Sequence, residues 1–209
     1  DDDFILPDKI SAHVELHQQS PKEFGASYSY YKRYKNGKLF DISTDNLEAN
    51  LTYEILTNSV HIQAGSNLFV RRDIVEKVRG YDESFKRRQD IEFALKISQE
   101  TLFKCVESIQ LVINLDDRSN TLSLEDNEKN IAHYFKIFES YIESYDDKSK
   151  EKIYKSQYLQ LWRTAILKKN FKFSRKVKKT YKLGFILRLR YLLYSVFRVI
   201  TKSNFGFKI

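Results

Sequence analysis

The chain has 209 residues, 42% of them apolar, which is enough to bury a substantial core in one or two domains. A single cysteine, Cys105, excludes an internal disulfide and any zinc site built from several cysteines. The net charge of +8 conceals a division of the chain. Residues 1–147 carry 18 Lys and Arg against 27 Asp and Glu, whereas residues 148–209 carry 18 against one. This segregation is typical of a basic region that faces an anionic surface.

A helix is predicted near the start of the chain. Pro7 is favourable in a first helical turn, and the spacing of Ile10 and Val14 predicts a helix over 7–19 that directs both side chains inward. His13 and His17 lie one turn apart on this helix. They lack the further partners of a metal motif, so we expect them on the helix surface.

Extended and helical patterns then alternate along the chain, which indicates an α/β domain. The Asn36-Gly37 pair predicts a tight turn between two strands. Cys105 lies in a later extended pattern, which predicts a buried structural thiol. Strands are predicted over 26–34, 39–42, 60–63, 67–70, 102–106 and 110–114, and helices over 73–79 and 91–99.

The last part of the chain has a helical pattern. Helices are predicted over 125–145, 149–170 and 182–202. Residues 183–200 are almost long enough to cross a bilayer, but the three arginines among them favour a helix that lies in the membrane interface. A helical bundle that packs on the first domain or on another subunit is the alternative. The predicted domains are 1–122, which is α/β, and 123–209, a basic helical extension.

An acidic motif opens the chain. Asp1, Asp2 and Asp3 precede the apolar segment 4–6, which is followed by Pro7-Asp8-Lys9. Carboxylates beside an apolar strand provide the oxygen ligands that Mg²⁺ or Mn²⁺ prefers, and such an ion neutralises a diphosphate. A frayed acidic terminus is the competing interpretation.

A second acidic motif is Gln89-Asp90, which follows Gly80-Tyr81-Asp82-Glu83-Ser84-Phe85 at the start of a predicted helix. A carboxylate in this position suits a general base. It also suits a helix N-cap, and the two roles are compatible.

The order of these motifs resembles that of the inverting glycosyltransferases of family 2, whose catalytic domain has the GT-A fold. The resemblance covers residues 1–120. The opening run resembles the family's Asp-x-Asp-Asp segment, so it implies Asp2 as metal ligand, supported by Asp1 and Asp3. Gln89-Asp90 resembles the family's Glu-Asp or Gln-Asp motif, which implies Asp90 as catalytic base. The loop at 80–85 resembles the family's Gly-Gly-Phe-Asp-Glu-x-Phe segment, although an arginine replaces its first glycine.

The resemblance also implies substrate contacts. Gly65 and Ser66 are expected on a strand beneath the donor sugar, where glycine permits close approach of the backbone. Arg118 is expected in a loop that closes over the diphosphate. The predicted substrate-binding residues are Gly65, Ser66, Asp82, Glu83, Arg88, Gln89 and Arg118.

The implied fold is α/β, a partial GT-A (Rossmann-like) mixed sheet that lacks its N-terminal nucleotide-binding half. The implied function is metal-dependent inverting transfer of a sugar from a nucleotide-sugar, with a UDP-sugar favoured, to a glycan or lipid-linked acceptor in cell-surface polysaccharide synthesis. The single cysteine fits a reducing, cytoplasmic location, and the basic extension indicates a protein peripheral on the inner face of the membrane. A non-catalytic membrane-peripheral adaptor or a degenerate transferase fragment is the alternative. Nucleic acid is not expected as a partner, because no recognition motif accompanies the charge.

Overall fold

The computed structural model describes residues 3–85, 88–116 and 122–209. The chain forms two compact units. The first comprises Asp1–Arg118 with Phe197–Gly206, and the second comprises Ser119–Val196 with Phe207–Ile209. The first unit is α/β and the second is helical.

A five-stranded mixed sheet forms the centre of the first unit. Its strands are β1 (Asp3–Ile5), β2 (Phe24–Lys35), β3 (Lys38–Ser43), β4 (Phe69–Val70) and β5 (Leu102–Asn114). The order is β1-β5-β2-β3, and β4 pairs with β2. β2 and β5 are parallel, and the other pairs are antiparallel. Such an open mixed sheet with helices is compatible with a Rossmann-like fold.

Helices complete both units. The first unit contains α1 (Lys9–Gln19), α2 (Thr52–Leu56), α3 (Ala64–Asn67), α4 (Arg72–Lys77) and α5 (Gln89–Glu100). The helices that follow are α6 (Leu124–Ile137), α7 (Glu139–Glu143), α8 (Asp147–Leu167), α9 (Phe171–Thr180) and α10 (Phe185–Thr201). Among the described residues, no helix is long and apolar enough to cross a membrane.

Several predictions from local sequence are confirmed. Asn36 and Gly37 both have positive φ, as the tight turn between β2 and β3 requires. Cys105 lies on β5 with 3% of its surface exposed, and burial raises the pKa of its thiol to about 12. The thiol is therefore a structural group rather than a nucleophile.

The predicted strand over 60–63 is wrong, and so is the placement of Gly65 and Ser66 on a strand. Gln63 has the left-handed φ of 52°, and its carbonyl accepts hydrogen bonds from the backbone N–H groups of Ser66 and Asn67. These bonds close a helical turn, α3, in place of an extended segment. The two strands predicted over 102–106 and 110–114 form one continuous strand, β5. The register between β5 and β2 shifts between Ser29 and Tyr31, and these shifts accommodate the residues that separate the two predicted strands.

The predicted orientation of α1 is also wrong. Ile10 and Val14 are 56% and 39% exposed, whereas Lys9 and His13 are buried. Ser66, Asn67 and Ser27 provide polar partners that compensate for the burial of these two side chains. α1 therefore turns its polar face inward.

A returning segment after α10 completes the first unit. Ile42 exchanges backbone hydrogen bonds with Lys202 and Asn204, and the Asn204 side chain donates to the Tyr31 hydroxyl at 2.7 Å. Gly206 packs directly on the backbone of Ser59, where a Cβ atom would overlap the Ser59 carbonyl group. Glycine is therefore required at this contact.

Candidate active site

The helical turn α3 is fixed in the fold by a buried amide. Asn67 has no exposed surface, and its Nδ2 donates to the carbonyl groups of Ser29 and Ile62 at 2.7 and 3.1 Å. Its Oδ1 accepts from the Ser29 hydroxyl at 2.6 Å and from Lys9 Nζ at 2.9 Å. The amide is thus fully engaged, which holds α3 against β2 and α1.

Lys9 provides a buried positive charge beneath α3. It is 4% exposed, and its ammonium group also donates to the Ser66 carbonyl oxygen at 3.0 Å. Burial lowers the pKa of Lys9 to about 8, and the nearby Asp3 carboxylate partly opposes this shift. Lys9 therefore links α1, α3 and the acidic end of β1.

The opening acidic motif is connected to α3 by a direct hydrogen bond. The Ser66 hydroxyl donates to Asp3 Oδ2 at 2.5 Å. Asp3 lies on β1, and Ser66 is 63 positions later in the chain. The bond fixes the orientation of the Asp3 carboxylate at the start of the edge strand.

The other end of α3 lies against Asp90. A Cβ atom at Gly65 would lie 3.7 Å from both Asp90 Cβ and Asp90 Oδ2. A larger side chain at position 65 would therefore crowd the carboxylate. Asp90 lies in the first turn of α5, and the N-cap position is held by Arg88 with a φ of 67°. The alternative role of Asp90 as N-cap is thus wrong, and its carboxylate interacts with the helix dipole instead.

A small cavity adjoins Asp90. Its volume is about 150 Å³, enough to hold water molecules. Asp90 is the acidic residue in its lining, and His61, Asn58 and Gln63 contribute further polar groups. The carboxylate is half-buried, so it is accessible to a small polar group in this cavity.

The loop at 80–85 is attached to α5 by a buried acid. Glu92 is 1% exposed, and its Oε2 accepts from the backbone N–H of Asp82 at 3.2 Å. Lys96 pairs with Glu92 at 3.1 Å and donates to the Gly80 carbonyl at 2.6 Å. Tyr81 stacks on Phe93 with ring centroids 4.5 Å apart. Burial and then the Asp90 charge raise the pKa of the Tyr81 hydroxyl.

A second polar cluster lies under α1. The Ser27 hydroxyl lies 2.7 Å from His13 Nδ1 and 2.9 Å from His17 Nε2, within hydrogen-bonding distance of both rings. His13 is completely buried and stacks on Phe69. The prediction that the pair lies on the helix surface is therefore wrong for His13. Burial, assisted by the charges of Lys9 and His17, lowers the pKa of His13 to about 4.

The structure brings together four of the predicted site residues, Asp3, Gly65, Ser66 and Asp90. Asp82 is half-buried in the loop that α5 anchors, and its Oδ1 accepts from the Ser84 N–H at 2.8 Å. Glu83 and Gln89 are exposed, and Arg88 is half-buried at the start of α5. Asp1, Asp2 and Arg118 lie outside the described residues.

The described segments contain no group of three His, Cys, Asp or Glu side chains placed to hold a metal ion. Asp3 is the predicted ligand within these segments, and it is already bonded to Ser66 and lies near Lys9. The described residues alone therefore do not form a complete metal site.

Three residues of the cluster had no role assigned from sequence, namely Lys9, Asn67 and Tyr81. Lys9 belongs to the Pro-x-Lys part of the opening motif, and Asn67 follows Gly65 and Ser66. Their positions inside these motifs were the sequence feature that could have identified them as site residues. Their burial could not be recognised, because both are polar residues that are mostly found at the surface.

A larger cavity of about 320 Å³ lies in the second unit, next to Tyr154, Tyr158 and Tyr181. It contains none of the predicted site residues. Comparison with known proteins adds no assignment for either cavity: no protein-family model matches the chain, and no curated protein matches it significantly.

Proposed function

We propose that this chain carries the acceptor-activating part of an inverting glycosyltransferase of the GT-A type. The observation that supports the proposal is the assembly around α3, where Asp3 of the opening motif bonds Ser66 and Asp90 of the later motif lies against Gly65. Residues from three distant segments thus meet at one turn. The proposed reaction transfers a sugar from a nucleotide-sugar, with a UDP-sugar favoured, to a hydroxyl group of a glycan or lipid-linked acceptor.

Asp90 is the proposed general base. Its carboxylate takes the proton of the acceptor hydroxyl while the hydroxyl oxygen bonds to the anomeric carbon of the donor. The bond from that carbon to the diphosphate oxygen breaks, and the nucleoside diphosphate leaves with the electron pair. Because attack occurs opposite the leaving group, the configuration at the carbon inverts. The half-buried position of Asp90 beside a cavity suits this role.

The donor's diphosphate is the proposed partner of the opening acidic motif. Asp1, Asp2 and Asp3 supply oxygen ligands only, which match Mn²⁺ or Mg²⁺. A bound cation would supply charge neutralisation at the diphosphate. Ser66 orients Asp3 through its 2.5 Å hydrogen bond, and Lys9 adds a positive charge nearby. Both residues are therefore proposed as positioning residues for the donor side.

The test is release of nucleoside diphosphate from a panel of nucleotide-sugars by the full-length protein, with Mn²⁺ and lipid-linked or glycan acceptors. Asp90→Asn keeps the size of the side chain and removes the base, so we expect turnover to fall roughly 10²–10⁴-fold. The matched control is Asp147→Asn, the same change in the first turn of α8, where the side chain is exposed.

We expect Asp147→Asn to retain full turnover. Equal turnover in the parent and Asp90→Asn would contradict the role of Asp90. If the parent releases no nucleoside diphosphate from any donor in the panel, the glycosyltransferase proposal itself fails.

A non-catalytic peripheral membrane protein is the second candidate. It is favoured by the exposed apolar side chains of α10, which do not belong to the Asp90 cluster. Asp90→Asn separates the two candidates, since an adaptor function would be unaffected by this change.

A further inference from the structure

Helix α10 exposes a continuous apolar stripe. Ile186, Leu189, Leu193 and Val196 recur at spacings of three and four, which places them on one side of the helix. Phe185 and Leu192 extend the stripe. We call these six residues the outer face of α10; each is between 37% and 73% exposed.

The opposite side of α10 is already in contact with protein. Tyr191 is 6% exposed and packs edge-on against Phe207 with ring centroids 5.0 Å apart. The helix is therefore anchored in its unit through one side. Single exposed aliphatic residues are ordinary on protein surfaces, but a contiguous row of six marks an interaction surface.

Arginines border the outer face on both sides. On a helical projection Arg188 lies next to Leu192, and Arg190 lies next to Ile186. α10 contains three arginines and no acidic residue. α9 adds the exposed cations Lys172, Arg175 and Lys179. An apolar stripe bordered by arginines is the pattern of a helix that lies in a membrane interface, where long cationic side chains reach the headgroups.

The charge distribution selects the partner. Residues 148–209 carry 18 Lys and Arg and one acidic residue, so two copies of this region would repel each other. An anionic lipid surface attracts the same charges and accepts apolar side chains at the headgroup boundary. Spanning is not compatible with this helix: its 17 residues extend about 25 Å, less than a hydrocarbon core of roughly 30 Å.

We propose that the outer face of α10 binds the surface of an anionic lipid bilayer, with the helix axis parallel to the membrane. Binding combines insertion of the six apolar side chains with attraction between the basic residues of α9 and α10 and the headgroups. The proposal does not depend on the chemistry at Asp90.

The test is co-sedimentation of the full chain with phosphatidylcholine vesicles that either contain or lack phosphatidylglycerol. We expect binding to the vesicles with phosphatidylglycerol, weaker binding at high salt, and little binding to phosphatidylcholine alone. Replacing Leu189→Gln together with Leu193→Gln removes two inserted side chains and should lower the partition coefficient at least about tenfold.

The matched control is Ile10→Gln with Val14→Gln, which makes a similar aliphatic-to-Gln change at exposed positions on α1. It should bind vesicles like the parent. Circular dichroism should show that all variants fold, since every changed side chain is exposed. An unchanged partition coefficient for the α10 variant overturns the proposal. The proposal is also overturned if the parent binds no vesicles but forms a concentration-dependent dimer that the α10 substitutions abolish.

Discussion

Helices α1 and α10 both expose aliphatic side chains, yet they differ in what they bury. α1 exposes Ile10 and Val14 and buries a lysine and a histidine. α10 exposes its outer face and buries an aromatic residue, Tyr191. In α1 the buried polar side chains form hydrogen bonds inside the first unit, whereas in α10 the exposed side chains of the outer face are apolar.

The difference shows that amphipathic spacing identifies the two sides of a helix but not which side is buried. For α1, the Asn67 amide, the Ser66 carbonyl and the Ser27 hydroxyl decide the orientation. For α10, aromatic packing of Tyr191 decides it. A helix whose apolar side is left exposed then requires a further explanation, which for α10 is the proposed lipid surface.

Two neighbouring substitutions on α1 should differ most in their effect on stability, because one changes the buried side of the helix and the other changes its exposed side. Lys9→Met removes the ammonium group from the Ser66 carbonyl, Asn67 Oδ1 and the nearby Asp3, and leaves buried acceptors without their donor. We expect the free energy of unfolding to fall by about 3 kcal/mol. Ile10→Gln, one residue later and exposed, should change it by less than about 0.5 kcal/mol.

Both changes in the free energy of unfolding can be measured by urea denaturation, with circular dichroism as the signal. Hydrophobicity alone predicts the opposite order, since Lys→Met adds an apolar side chain and Ile→Gln removes one. If Ile10→Gln destabilises the protein more than Lys9→Met, the conclusion that α1 turns its polar face inward is wrong.

A smaller effect concerns the pH dependence of stability. The pKa of His13 is lowered to about 4 in the folded protein, against an ordinary value near 6.5 in the unfolded chain. Between these values the unfolded chain binds more protons, so the folded state should lose stability as the pH falls from about 6.5 to about 4. The contribution is at most about 1.4 kcal/mol per pH unit.

Urea denaturation at a series of pH values gives the free energy of unfolding as a function of pH. This free energy should fall as the pH falls in the parent and fall less steeply in His13→Gln. The difference between the two slopes isolates the histidine from the carboxylates that titrate in the same range. Parallel slopes for the two proteins would mean that His13 is solvated and protonates in the folded state.

The α/β architecture was predictable because local chemistry determines it. The Asn36-Gly37 turn and the buried strand around Cys105 are both local features. The orientation of α1 and the turn at α3 could not be predicted from local sequence, because both depend on side chains that lie far away in the sequence.

The candidate site was predictable in part. The motifs identified Asp3, Gly65, Ser66 and Asp90, and the structure places these residues in contact through α3. The contacts themselves could not be predicted, because α3 was expected as a strand. The roles of Lys9 and Asn67 also escaped prediction, since burial of a polar group follows from its tertiary partners and not from its own type.

A disulfide cross-link would measure whether α3 places Gly65 beside Asp90. A Cβ atom at position 65 would lie 3.7 Å from Asp90 Cβ, within the usual Cβ–Cβ separation of roughly 3.5–4.5 Å. The control pairs Gly80→Cys with Asp90→Cys, because a Cβ atom at Gly80 has no heavy atom within 4 Å. Cys105 is buried with a raised pKa, so it does not compete for the new thiols.

After oxidation with glutathione, non-reducing peptide mapping measures the fraction of cross-linked chain. We expect a high fraction for Gly65→Cys with Asp90→Cys and a low fraction for the control pair. Equal fractions for the two pairs, or no cross-link at position 65, would contradict the assembly of the site around α3.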